Sequence, residues 1–104
     1  MSLDDTLLAL ADPTRRAILA RLSTGEARVT DVAAPFPISL NSVSKHIRIL
    51  ERARLVRRRR HGREHRLALN PKPLDAVAKW VEAQRRLWAW RLGELDQILR
   101  REKP

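Results

Sequence analysis

Three histidines, a group of serines and a concentration of guanidinium groups are the chemically active features of this sequence. His46, His61 and His65 fall in one segment with Lys45, Arg48, Arg52, Arg54, Arg57, Arg58, Arg59, Arg60, Arg63 and Arg66. Imidazoles gathered in this way suggest a zinc site. The chain has no Cys, however, and no acidic cluster stands beside the histidines. Polar groups on a charged surface are therefore the plainer reading, and no metal is expected. Ser39, Ser42 and Ser44 offer hydroxyls without a Gly-x-Ser-x-Gly elbow or an acid–base partner. A helix cap and surface hydrogen bonds account for them better than a nucleophile does. No enzymatic constellation is present, and no cofactor is expected.

The charge itself is more informative. Between residues 45 and 66, ten cations stand against Glu51 and Glu64, so this segment holds +8 of the chain's formal +10. A field so concentrated attracts a polyanion. A solvated basic face is the alternative, although solubility does not require one sign in one place. The 104 residues make one small domain, and a hydrophobic fraction of 43% excludes wholesale disorder. The absence of Cys excludes disulfides, thiolate nucleophiles and iron–sulfur clusters. No apolar run approaches the roughly 20 residues of a membrane span, and no signal peptide opens the chain. A cytoplasmic protein without a membrane partner is expected, and a core this small is expected to need a second subunit.

The elements that must position these groups are mostly helical. Ser2-Leu3-Asp4-Asp5 reads as a capped start, with Leu3, Leu7, Leu8 and Leu10 at helical spacing, giving a first helix over about 3–10. Asp12-Pro13 restarts the chain as a helix over about 13–23, which Gly25 ends. Thr30 is expected to cap a short third helix, stopped by Pro35 and Pro37. Ser39 caps a fourth, about 40–53, in which Val43, Ile47 and Leu50 form an apolar stripe and Asn41, Ser42, Lys45, His46 and Arg48 face away from it. Two strands over about 54–60 and 64–69 flank a turn expected at His61-Gly62. Pro73 begins a last helix, about 72–101.

A short capped helix, a Pro-containing turn and a second helix with a polar, cationic outer face form a helix-turn-helix pattern. The major groove of B-DNA is about 12 Å wide and admits one α-helix. The arginine-rich hairpin that follows has the place of a wing. The stretches Leu10-Ala11-Asp12-Pro13-Thr14-Arg15-Arg16-Ala17-Ile18-Leu19 and Ile38-Ser39-Leu40-Asn41-Ser42-Val43-Ser44-Lys45-His46-Ile47-Arg48-Ile49-Leu50, with Leu55-Val56 and the Arg-rich hairpin, resemble the ArsR family of bacterial winged-helix repressors. The resemblance covers nearly the whole chain. It implies a mainly α fold with a small β-hairpin, that is, a winged helix-turn-helix with a long C-terminal dimerisation helix. By the match, Ser39, Asn41, Ser42, Ser44, Lys45, His46 and Arg48 lie on the recognition helix. Residues 57–66 form the wing, with Arg57, Arg58, Arg59, Arg60, His61, Arg63 and Arg66 as its DNA contacts.

Two departures from the family pattern matter. The third-helix stretch Arg28-Val29-Thr30-Asp31-Val32-Ala33 has no Cys and the last helix has no His. Neither usual metal site is therefore carried over. Members also commonly place Gly where this chain has Arg54, a costly choice if the backbone turns left-handed there.

The last helix has apolar residues at Leu74, Val77, Val81, Trp88, Leu92, Leu95 and Leu99. At 30 residues it would run about 45 Å, longer than a core of this size can cover. Folding back on its own monomer is one outcome; pairing with a twofold mate is the expected one. The interface would use Leu3, Leu7, Val77, Trp80, Val81, Trp88, Leu92 and Leu95.

The whole chain, 1–104, is expected to be one DNA-binding domain: dimerisation helices at 1–11 and 72–101, the helix-turn-helix at 30–53 and the wing at 54–69. The expected function is sequence-specific, homodimeric repression of transcription from double-stranded DNA in a bacterial cytoplasm, with the protein on the nucleoid when bound. A sequence-indifferent nucleic-acid coat is the alternative.

Overall fold

The computed structural model describes residues 2–101. Its elements run α1 (Leu3–Leu10), α2 (Pro13–Leu22), β1 (Ala27–Arg28), α3 (Val29–Ala33), α4 (Leu40–Arg52), β2 (Val56–His61), β3 (Glu64–Leu69) and α5 (Lys72–Arg101). Local chemistry explains most boundaries. Ser2 accepts a hydrogen bond from the Asp5 N–H, Asp12 from the Arg15 N–H and Ser39 from the Ser42 N–H, so three helices begin on side-chain caps. Pro13 stands at the start of α2, where no amide partner is needed.

Two expectations need correction. The third helix begins one residue before Thr30, and its N-cap is Arg28, which makes no side-chain cap bond. The helix takes its start from β1, whose Ala27 and Arg28 pair with Leu67 and Arg66 of β3. The hairpin turn is Gly62-Arg63, since His61 pairs with Glu64. Gly62 has φ +60°, the positive value that a tight two-residue turn demands. The sheet has the antiparallel order β1-β3-β2.

Ile18, Val32, Val43, Ile47, Leu50, Leu55 and Leu67 are buried together, so α2, α3, α4 and the inner face of the sheet share one core. Among the described residues no buried side-chain polar atom lacks a partner. The molecule is nevertheless long, 75 × 26 × 22 Å, with a radius of gyration of 19.9 Å. A compact chain of this length has about 13 Å. The excess is α5, whose first turns pack on α1 and whose last five turns project as an exposed rod.

Among the described residues, the end of α4 is the one point where a residue other than glycine takes a positive φ. The Leu55 N–H donates to Leu50 O and the Arg54 N–H to Glu51 O, both at 3.0 Å. This pair of bonds is a Schellman closure, which places its central residue in the left-handed region. That residue is Arg54, at φ +61°. Arg54→Gly is expected to raise unfolding stability by about 1 kcal/mol, because glycine carries no Cβ to clash there. Urea denaturation measures it; an unchanged or lower midpoint would show that the Arg54 side chain offsets its own backbone cost.

Candidate nucleic-acid interface

The caps, the core stripe and the sheet together decide where the cationic groups point. With Val43, Ile47 and Leu50 buried, the opposite side of α4 presents Asn41, Lys45 and Arg48 to solvent. Neither Lys45 nor Arg48 has a carboxylate partner among the described residues. Ser39 Oγ accepts from the Ser42 N–H at 3.1 Å and donates to Ser42 Oγ at 2.9 Å, so both hydroxyls sit at the first turn of the helix. Ser39 is exposed, while Ser42 and Ser44 are half-buried.

His46 behaves differently. It lies on α4, but its Nδ1 is 3.3 Å from Arg15 Nη1 and 3.8 Å from Asp12 Oδ2. A guanidinium can only donate, so Nδ1 is the acceptor wherever this contact is a hydrogen bond. Arg15 is itself buried. Its Nε donates to Ala9 O and its Nη2 to Leu8 O, each at 2.8 Å, closing the C-terminal end of α1. One side chain therefore joins α1, α2 and α4. Sequence reasoning missed Arg15, because nothing in its neighbours marks it as the arginine that turns inward.

Asp12 belongs to the same cluster. The Arg15 N–H bonded to its carboxylate, with His46 and the Arg15 guanidinium nearby, holds its pKa below the ordinary value of 3.8. A carboxylate with a depressed folded-state pKa stabilises the fold above its unfolded-state value and loses that contribution as pH falls through the folded one. Asp12→Asn is therefore expected to lower the melting temperature at neutral pH, with the gap closing in acid below 3.8. Thermal unfolding across a pH series checks this, and a gap independent of pH counts against it.

The hairpin arginines divide by partner. Arg58 Nη2 is 2.9 Å from Glu51 Oε1, which clasps β2 to α4. Arg66 pairs with Glu64 at 3.3 Å, and Glu64 also meets Arg28 at 3.4 Å. Arg60 Nε donates to Gly62 O and braces the turn. Arg57, Arg59 and Arg63 have no acidic partner among the described residues, and His61 stands at the tip, exposed. The strand register sets Arg59 directly opposite Arg66, and Arg66 opposite Arg28. Like charges opposed across a ladder destabilise it unless an anion lies over them. Among the described residues no three His, Asp or Glu side chains gather to hold a metal, and no helix there is long and apolar enough to cross a membrane.

Comparison with known proteins agrees with this geometry. A model described as a helix-turn-helix domain matches residues 10–59. The chain is 37% identical over 91 residues to the HTH-type transcriptional regulator Rv2034 of Mycobacterium tuberculosis, covering 88% of this chain and 82% of that protein. It is 34% identical over 79 residues to the transcriptional repressor SdpR of Bacillus subtilis, covering 76% and 88%. A crystal structure of an ArsR family transcriptional regulator is 44% identical and superposes with a TM-score of 0.80, over 84% of this chain and 96% of the other. The chain belongs to the ArsR family. An ArsR-like regulator from Rhodococcus sp. RHA1, 30% identical, superposes equally well at 0.80, over 92% and 91%. This ArsR-family chain is thus a winged helix-turn-helix regulator, in a family of regulators and not of enzymes.

Proposed function

We propose that this protein is a transcriptional repressor that binds a near-palindromic DNA operator as a homodimer. One observation carries the reading: the outer face of α4 presents Asn41 with Lys45 and Arg48, beside a hairpin that carries Arg57, Arg59 and Arg63, and none of these five cations has a carboxylate partner among the described residues. The name of the Bacillus subtilis relative, a repressor, favours the same direction. In this reading residues 1–104 act as one domain, with 30–53 entering the major groove and 54–69 lying along the backbone.

Ser39, Asn41, Ser42 and Ser44 read base edges near the helix start, and Lys45 and Arg48 hold phosphates. His46 supports the helix from behind, through Arg15. Arg59, Arg60, His61 and Arg63 reach phosphate or the minor groove. Arg58 and Arg66 first have to leave Glu51 and Glu64, and Arg57 stands at the foot of the wing. Two copies would set two recognition helices about 34 Å apart, one turn of the duplex. The site of action is the cytoplasm, on the nucleoid.

Lys45→Ala is expected to weaken binding to all DNA sequences alike and to reduce the slope of log affinity against log salt by about one unit. A salt-titration series by fluorescence anisotropy measures both, and an unchanged slope removes Lys45 from the phosphate contacts. Competition between random DNA and a selected site separates this reading from a sequence-indifferent coat: a preference of about 10³ or more is expected, against near parity for a coat.

A further inference from the structure

A cleft of about 430 Å³ opens where the end of α4, the foot of β2 and the start of α5 meet, lined by Glu51, Arg54, Val56, Arg57, Asn70 and Lys72. Half of these residues are cationic. Among the described residues, Arg54, Arg57 and Lys72 have no carboxylate within ion-pair distance. Glu51, the one acid in the wall, is engaged with Arg58 at 2.9 Å. Asp75 lies in the first turn of α5 but does not line the cleft.

The floor of the cleft is built, not incidental. Asn70 is buried, only 8% exposed. Its Nδ2 donates to Arg54 O at 2.7 Å, and its Oδ1 accepts from the Lys72 N–H at 3.4 Å. One side chain thus fixes the backbone beneath two of the three cations. Like charges on one concave wall repel each other and focus a positive potential into the space between them. The N-terminal end of α5 adds its dipole in the same sense.

We propose that this cleft binds a small multivalent oxyanion of the phosphate class, held by Arg54, Arg57 and Lys72. Each guanidinium offers a planar fork for two oxygens, and the ammonium supplies a compact third charge. A cleft of this volume is in the range of small-molecule sites, about 300–1,000 Å³, and suits a phosphorylated metabolite better than a halide. A DNA backbone phosphate has the same chemistry. The cleft, however, is at the C-terminal end of α4, away from Ser39, Asn41 and Ser42 at its start, so a free anion is the favoured source.

The test is a titration of inorganic pyrophosphate into the full-length, DNA-free protein at fixed ionic strength, followed by calorimetry and backbone amide NMR. Saturable sub-millimolar binding is expected, with shifts centred on Arg54, Arg57, Asn70 and Lys72. The Arg54→Gly/Lys72→Gln double variant should bind at least about tenfold more weakly. Glycine suits the backbone at 54; Arg54 stands at the very start of the wing segment, and neither it nor Lys72 is among the side chains named above as DNA contacts. An equal response in wild type and double variant, or shifts confined to the wing tip, overturns the proposal. So does a third result: pyrophosphate leaves the free protein unchanged while the double variant lowers the salt slope of DNA binding by about two units, which would assign these cations to the duplex. The titration contains no DNA, so its outcome is independent of whether the chain is a repressor.

Discussion

Trp88→Glu is expected to leave each chain folded, convert the proposed dimer to monomers and weaken operator binding by about 10³-fold or more. Trp88 is 61% exposed in the single chain and Leu92 is 66% exposed, so neither contributes to the monomer core. At 100° per residue, Leu74, Val77, Val81, Trp88, Leu92, Leu95 and Leu99 fall within an arc of about 60°. A single apolar stripe of that length on a helix is a surface for another helix. A carboxylate buried without a partner at its middle would cost several kcal/mol, about as much as a standard interface can lose before it dissociates. A lone subunit keeps only the contacts of one half-site, and its affinity falls toward the non-specific range of about 10⁻⁴–10⁻⁶ M. Sedimentation velocity gives the subunit state and anisotropy the affinity. A Trp88→Glu protein that still sediments as a dimer places the interface elsewhere.

Ile47→Ala acts on the same helix from the other side, and its effect is on stability. Ile47 is fully buried on the inner side of α4, among Val43, Leu50, Leu55 just before β2, and Leu67 of β3. Truncating a buried Ile to Ala costs about 2–5 kcal/mol, from lost transfer energy and the cavity left behind. Total stability for a domain of this kind is about 5–15 kcal/mol, so the variant is expected to unfold at far lower urea and to be partly unfolded at 37 °C. Arg48→Ala, one residue on and exposed, should shift stability by no more than about 0.5 kcal/mol while weakening DNA binding. The two unfolding curves, measured together, show whether α4 divides into a supporting face and a reading face. Similar stability losses in both would contradict that division.

The sequence made the four longer helices readable because each carries its own punctuation. Ser2, Asp12 and Ser39 cap as their residue types dictate, and the stripe of α4 is buried as its spacing requires. The two-residue strand Ala27–Arg28 was not readable, since its existence depends on Leu67 and Arg66 nearly forty residues away. That same pairing moved the start of α3 off Thr30. The hairpin turn slipped by one residue because His61-Gly62 and Gly62-Arg63 both place a glycine where positive φ is needed. Residues of the candidate interface were identifiable by type, but their partners were not. Arg58 turns to Glu51, and His46 to Arg15. These contacts depend on how the elements pack, which no local pattern in the chain records.

The far end of α5 has a consequence for how such a regulator would respond to its own abundance. Because the rod's apolar stripe is open in the single chain, the species competent to occupy an operator would arise by mass action from two separately made polypeptides. At scarce copy number its supply would grow with the square of synthesis, so a modest change in gene dosage would be read out as a steep change in promoter occupancy.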